Sequence, residues 1–285
     1  MGIGGGGDVV GALAAAELLG DATVGGLTWE RRPVDPAPGP RRLDEISHAE
    51  LLNESVALAG PETSGPGGFL FCESHVARAT GERTVLVDPN PGPRAIAAAL
   101  DDAVAKLGCG RIVLLDVGGD VLAHGDEPGL ASPLADAVML ASARFLSTPA
   151  VGAVFGAGCD AELTPEEVRA RLDEVGTDGE QRLDDTQLDR LEAVAREVPT
   201  EASAMALRCA RGDRGDVPIR QGRRSVTLTD LGGVVAWFDP LRAMETAARL
   251  AAAVVDAASL DEADEILEAR GIRTELAYER DMARR

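Results

Sequence analysis

Lysine is almost missing from this 285-residue chain: of its 28 basic residues all but Lys106 are arginine. Basic charge as a whole is scarce, and 48 Asp and Glu leave a formal net charge of −20. That excludes a general nucleic-acid binder, because neutralising phosphates needs a basic surface. An acidic, lysine-poor surface suits a protein working in high cytoplasmic salt, where excess carboxylates help solubility. It points to a halophilic archaeon, with a GC-rich genome as the alternative source of so much Arg and Ala. Aromatics make up only 3%, so the core must be built from Ala, Val and Leu.

No apolar stretch approaches the roughly 20 residues needed to cross a bilayer, so no membrane association is expected. The first residues lack a basic segment followed by an apolar run, so no signal peptide is expected either. The four cysteines, Cys72, Cys109, Cys159 and Cys209, are scattered with no CxxC pair. That argues against a zinc site or a disulfide framework and for reduced thiols in a cytoplasm.

What is present is an alternation of short apolar runs and helix-forming stretches. Strands are predicted at 22–27, 84–87, 111–115 and 150–155, each apolar on consecutive positions as strands covered on both faces are. Between them the helices are 8–19, 93–107 and 133–146. The alternation predicts an α/β fold with a Rossmann-like, mostly parallel sheet flanked by helices. The second half reads as a helical elaboration. Helices are predicted at 165–174, 184–198, 201–211, 240–257 and 260–270, and strands at 225–229 and 234–238. Thr164 and Ser259 are the expected caps of two of these helices, and Thr200 of a third. The Gly/Pro-rich 61–68 reads as an exposed loop and the polar 176–187 as a flexible junction. One α/β domain over 1–285 is the expectation. The alternative is a 1–160 core with a 161–285 subdomain of helices and short strands.

Four stretches could carry chemistry. In "GIGGGGDVVGA" (2–12), Gly4, Gly5, Gly6 and Gly7 precede a helix, where backbone amides and the helix N-terminus could cradle an anion. The competing reading is a tight turn capped by Asp8. There is no Walker lysine, and almost no residues precede the run to form a first strand. In "DVGGDVLAHGDEPGLASPLADA" (116–137), Asp116 should end a buried strand, the place where ligand sites gather in open α/β sheets. Gly118 and Gly119 permit a sharp turn there. Asp120, His124 and Glu127 follow as acid or base candidates, and Ser132 as a helix cap or ligand contact. A solvated acidic loop is the plain alternative.

"FGAGCDAEL" (155–163) is a second strand-end loop. It adds Asp160 as a ligand candidate, with Glu162 a weaker one, or else is a simple turn. In "LTWERRPVDPAPGPR" (27–41), Trp29 could stack on a ring and Arg31 could pair with phosphate or carboxylate, although Trp29 could equally cover the core. Arg41 and Arg42 read as solvated, and Asp88 joins the candidates with low weight. The two RGD triplets at 211–216 read as turns.

These motifs, with "PTEASAMALRCARG" and "RTELAYER", resemble the archaeal and actinobacterial proteins grouped as domain-of-unknown-function family 1152. The resemblance runs from Gly2 nearly to Arg280. It implies an α/β fold and a cytoplasmic prokaryotic protein and carries no established reaction. Against it, the lead-in to the first strand is short.

The function expected from these residues is an enzyme acting on a small polar metabolite, phosphorylated or nucleoside-type, by hydrolysis or group transfer. Asp116, Asp120 and Asp160 would hold Mg²⁺ or Mn²⁺, since hard oxygen ligands favour such ions over zinc. A non-catalytic nucleotide- or metabolite-binding regulator using the same cleft is the alternative, and a homo-oligomer is compatible with either.

Overall fold

In the computed structural model, which describes residues 1–32 and 34–285, three residues at the amino terminus stitch two four-stranded sheets together. Among the described residues the strands are, in chain order, β1 (Gly25–Leu27), β2 (Ser47–Leu51), β3 (Val56–Ser64), β4 (Thr84–Val87), β5 (Ile112–Val117), β6 (Ala150–Phe155), β7 (Gly179–Gln181), β8 (Gly215–Ile219), β9 (Arg224–Leu228) and β10 (Val235–Phe238). One sheet has the order β1-β4-β3-β2, the other β5-β6-β10-β7, and β8-β9 form a separate hairpin. Between β1 and β5 lie Met1–Ile3. Gly2 donates to the Gly25 carbonyl at 2.8 Å, Ile3 to Leu115 and Leu115 to Met1, both at 2.9 Å, and Gly2 pairs with Leu115 in parallel. Met1–Ile3 thus bridge β1 and β5.

The sheets are mixed, which corrects the expectation of a mostly parallel one. Parallel pairing is confined to β1–β4, β5–β6 and the terminal bridge. The β2–β3 and β3–β4 pairs are antiparallel, as is β10 with both neighbours. The polar, exposed β2 lacks the apolar run by which strands were recognised, so the hairpin it makes with β3 escaped the sequence. The predicted loop at 61–68 is half strand, since β3 runs to Ser64, and the predicted junction at 176–187 contains β7.

The helices are α1 (Asp8–Leu19), α2 (Cys72–Thr80), α3 (Pro93–Leu107), α4 (Pro133–Ser142), α5 (Pro165–Val175), α6 (Asp185–Ala195), α7 (Ala202–Ala210), α8 (Pro240–Glu245), α9 (Arg249–Val254), α10 (Leu260–Glu268) and α11 (Glu275–Ala283). Proline at the first helical position opens α3, α4, α5 and α8, where its missing N–H is not needed and its φ is already helical. Thr164 caps α5 in a reciprocal box with Glu167, and the Ser259 side chain accepts from Glu262 N–H. Thr200 does not cap α7, whose N-cap is Glu201. The predicted helix 240–257 breaks at Thr246 (φ −124°, ψ −87°) into α8 and α9.

Alternate residues of the central strands feed two cores. Ile112, Leu114, Val154, Ala236 and Phe238 join one with α3, α4, α9 and α10. Leu115, Val117, Ala153, Phe155 and Val235 join the other with α1, α2, α6 and α7. Because successive side chains of a strand point to opposite faces, helices cover both faces of the centre. No helix among the described residues is long and apolar enough to cross a membrane.

Candidate functional site

The helix α1 lies close on the sheet because Gly11 is small. A Cβ there would stand 2.3 Å from Val117 Cγ2. This brings the tetraglycine turn beside the end of β5. The turn is packed tightly: a Cβ on Gly4 would meet Asp8 Oδ2 at 2.6 Å and Asp136 Oδ2 at 2.9 Å, and one on Gly7 would meet Thr200 Oγ1 at 2.2 Å. Two of its four amides are already engaged, Gly4 N–H with Asp8 Oδ2 (3.0 Å) and Gly6 N–H with the Trp29 carbonyl (2.9 Å). As an anion cradle the turn is thus half spent. Asp8 is the first helical residue, the N-cap being Gly7, and its carboxylate folds back on Gly4 instead of capping the helix.

Beyond β5, Asp116 Oδ2 accepts from Gly119 N–H (2.7 Å) and Val121 N–H (3.2 Å), which closes the turn and places Asp120. From the loop after β6 comes Asp160, whose Oδ1 accepts from Glu162 N–H at 3.1 Å. From the first turn of α4 comes Asp136. That helix end is held by Glu275, which accepts from Leu134 N–H (3.0 Å) and Ala135 N–H (2.9 Å).

The outcome is two adjoining groups, Asp8–Asp116–Asp136 and Asp120–Asp160–Glu162, in each of which one oxygen per residue lies within 4.8 Å of the others. Asp116, Asp120, Asp136, Asp160 and Glu162 are all at most 7% exposed. Two carboxylates 4 Å apart repel by about 4 kcal/mol at an effective dielectric of ~20, so the group cannot all be charged without a compensating cation. Burial, reinforced by Asp116, pushes the Asp8 carboxyl well above its ordinary range. Burial does the same to Asp120, with Asp136, Asp116, Glu162 and Asp160 adding to it, and to Asp160, with Glu162 and Asp116. Asp136 is raised by burial and then by Asp116 and Asp8. Asp116 is pushed up by burial to about 7, its two amide donors opposing the shift.

The oxygens are not equivalent. Glu162 is saturated: Oε2 accepts from Ala131 N–H (2.7 Å) and Ser132 N–H (2.8 Å), and Oε1 takes the Ser132 hydroxyl. Asp136 Oδ1 is buried with no partner.

Two arginines border these acids, Arg220 at 3.6 Å from Glu162 Oε1 and Arg31. The Arg31 guanidinium lies 4.9 Å from the centre of the Trp29 ring, 3.6 Å from Glu275 Oε1, and donates to the Gly4 carbonyl. Burial works against its charge, but Glu275, Glu279, Asp136 and Glu162 outweigh burial and hold it above its usual range. Trp29 itself is fully buried, with Nε1 donating to Glu279 Oε2 at 3.1 Å. Its ring therefore has no free face to stack on a ligand and bears on the site through Arg31.

The structure gathers Asp8, Arg31, Asp116, Asp120 and Asp160 with the glycines, and splits the predicted metal trio between two groups. His124 and Glu127 form a separate group with Asp126. Glu127 accepts from His124 N–H and Gly125 N–H, both at 2.8 Å, and pairs with Arg171 at 3.1 Å. Burial would raise Glu127, but these partners hold it below the usual range. His124 Nε2 lies 2.9 Å from Glu174. Asp88 accepts from Asn90, outside both groups. Arg41, expected in solvent, is buried against Asp35 at 2.9 Å.

Sequence reasoning kept Glu162 only as a weaker candidate, gave Asp136 no role of its own and missed Glu275. Asp136 had a signal, three residues after a helix-opening proline, whereas Glu275 lies more than a hundred residues from the amides it holds. Glu30 and Glu73 form a further buried acid pair beside β1. Both Glu73 oxygens lack partners, and burial, then Glu30, raises that carboxyl.

No curated protein and no solved structure matches the chain. A model of the family described as a protein of unknown function, DUF1152, matches residues 1–283, and the chain belongs to that family.

Proposed function

We propose that this protein is a metal-dependent enzyme that hydrolyses or transfers a group of a small, phosphorylated or nucleoside-type metabolite. The observation that carries the reading is Asp136: a buried carboxyl with an unpartnered oxygen, grouped with Asp8 and Asp116 and adjoining three further acids. Asp8, Asp116 and Asp136 are the residues to hold Mg²⁺ or Mn²⁺, because each offers an oxygen within 4.8 Å of the others and Asp136 Oδ1 has no hydrogen-bond partner. Asp160 and the saturated Glu162 then shape the wall behind them. A cation there supplies Lewis-acid polarisation or an activated water. Asp120, which feels the charges of both groups, is the residue to carry a proton at neutral pH, since a raised carboxyl matches that task. His124 and Glu127 support the loop that carries Asp120.

The terminal bridge Met1–Ile3, the glycine turn and α1 also suit a Rossmann-like reading of the sheet centre, with the site at the strand ends near the β1/β5 junction. Titration calorimetry with Mn²⁺ and Mg²⁺ is the direct test, followed by phosphate-release assays on a panel of phosphorylated metabolites. One Mn²⁺ per chain, lost in Asp136→Asn, is expected; no binding in either protein overturns the reading. The closed site favours one second reading, a sensor that binds a metabolite without consuming it. A ligand that raises Tm yet is recovered unchanged would select it.

A further inference from the structure

Five of the six carboxylates are buried and Asp8 is half-buried, while two arginines at their edge are open to solvent: the Arg31 and Arg220 side chains are 31% and 38% exposed. Arg220 sits at the tip of the β8–β9 hairpin, which pairs with neither main sheet. Its backbone is held in the left-handed region at φ 51°, and Gln221 follows at φ 58°. Non-glycine residues adopt that conformation only where surroundings enforce it, and such strain gathers at binding sites.

The enforcement is visible. Arg220 N–H donates to both carboxylate oxygens of Glu201, at 3.1 and 3.2 Å. Arg224 Nη1 donates to the carbonyls of Gly129 (2.9 Å) and Ala161 (3.0 Å), pinning the hairpin over the two loops that bear the acids. Arg220 Nη2 is thereby placed 3.4 Å from the Asp160 carbonyl and 3.6 Å from Glu162 Oε1. Glu162 already accepts three shorter hydrogen bonds, so it does not need Arg220. Arg31 stands at the other acid group, donating to the carbonyl of Gly4 beside Asp8 and Asp136, and its Nη1 is buried without a partner.

Resting on the metal reading above, we infer that Arg220, at the edge of one acid group, and Arg31, at the edge of the other, form a two-sided clamp for a phosphoryl group. The Arg220 guanidinium, the unpartnered Nη1 of Arg31 and a divalent cation together match a phosphate dianion in charge and supply it with donors. The glycine turn cannot do this alone, with two amides spent internally. In a chain of net charge −20, the hairpin also gives an anion a local point of entry that the surface otherwise denies it.

The test uses the full chain, with Mn²⁺ alone and inorganic phosphate as probes, in the wild type, Arg220→Gln and Arg220→Lys. Expected are unchanged Mn²⁺ affinity in both variants, and phosphate binding to the Mn²⁺-loaded protein at least tenfold weaker in Arg220→Gln. Arg220→Lys should fall between the two, because a lysine keeps charge but not the fork. Phosphate affinity within twofold of wild type in Arg220→Gln overturns the clamp, as does no phosphate binding to the loaded wild type at 10-millimolar order. Phosphate binding that is lost in Arg220→Gln but indifferent to Mn²⁺ keeps the clamp and sinks the metal reading instead.

Discussion

Gly118 and Asp160 contend for the same space: a Cβ on Gly118 would stand 2.4 Å from the carboxyl carbon of Asp160. Gly118 also has φ +140°, a backbone conformation that L side chains rarely adopt. Gly118→Ala is therefore expected to destabilise by about 1–3 kcal/mol, the usual toll of an enforced backbone outlier, and to displace Asp160. Gly110, with nothing within 4 Å of its would-be Cβ, should accept alanine with little change. Thermal unfolding of both variants checks the contrast, and equal Tm values would refute the packing argument.

Asp136→Asn should act oppositely on stability and on metal binding. At alkaline pH, where Asp136 is driven to ionise, it removes a buried like charge from beside Asp8 and Asp116, so the metal-free protein gains about 0.5–2 kcal/mol, as relief of a strained functional site commonly does. The same change removes the oxygen that has no other partner, and Mn²⁺ affinity should drop by two orders of magnitude or more. Calorimetry and Tm, each with and without Mn²⁺, read both effects; a variant less stable than wild type without metal would count against the crowding of charge.

Glu275→Ala tests action at one remove. Glu275 caps the helix that carries Asp136 through two backbone amides, and losing such a cap costs about 0.5–2 kcal/mol. Removing a group that orients a metal ligand typically weakens affinity 10–100-fold. Glu275→Gln, which can still accept one of the two bonds, should lose less of both. Unchanged Mn²⁺ affinity in the alanine variant would show that Asp136 is oriented by other contacts.

The pH dependence has a definite sign. The Asp116 carboxyl is raised to about 7 by burial, against roughly 3.9 for an exposed aspartate. The native state thus binds more protons than the unfolded state between those values. Its stability contribution is full below about pH 4 and is lost as pH rises through 7. The buried Met1 amine, lowered to about 5 by burial, contributes in the opposite sense between 5 and its ordinary value. The Tm difference between wild type and Asp116→Asn isolates the carboxyl: metal-free, wild type should lose ground to the variant from pH 5 to pH 8. With saturating Mn²⁺ that loss should vanish, and Mn²⁺ affinity itself should rise with pH as protons leave the ligands. A flat difference in the metal-free protein would refute the assignment.

Particular residues show how far the sequence reaches. Helices α1 and α3 begin and end where the sequence predicts, because proline, acidic first-turn residues and glycine mark their ends within a few positions. The β5 and β6 runs are equally legible, and so is Asp116 at a strand end. The exposed β2 and the short α11 were not, since neither shows the apolar run or stripe that betrays burial. Arg220 gave no signal at all: an arginine in a polar turn looks solvated until the hairpin is docked.

By itself, then, the sequence determined the alternating elements, an Ala/Val/Leu core and the strand-end loops in which Asp116, Asp120 and Asp160 lie. Those are local properties, set by periodicity and turn chemistry over ten or so residues. Asp8, Arg31 and Glu162 were candidates in the sequence, but the tertiary structure alone decided that they converge with Asp136, that Glu275 holds α4 in place, and that Arg220 borders the group. Such neighbours come from different elements, Asp8 from α1, Asp136 from α4 and Glu275 from α11, and no local pattern encodes a burial that depends on both sides of the sheet closing at once.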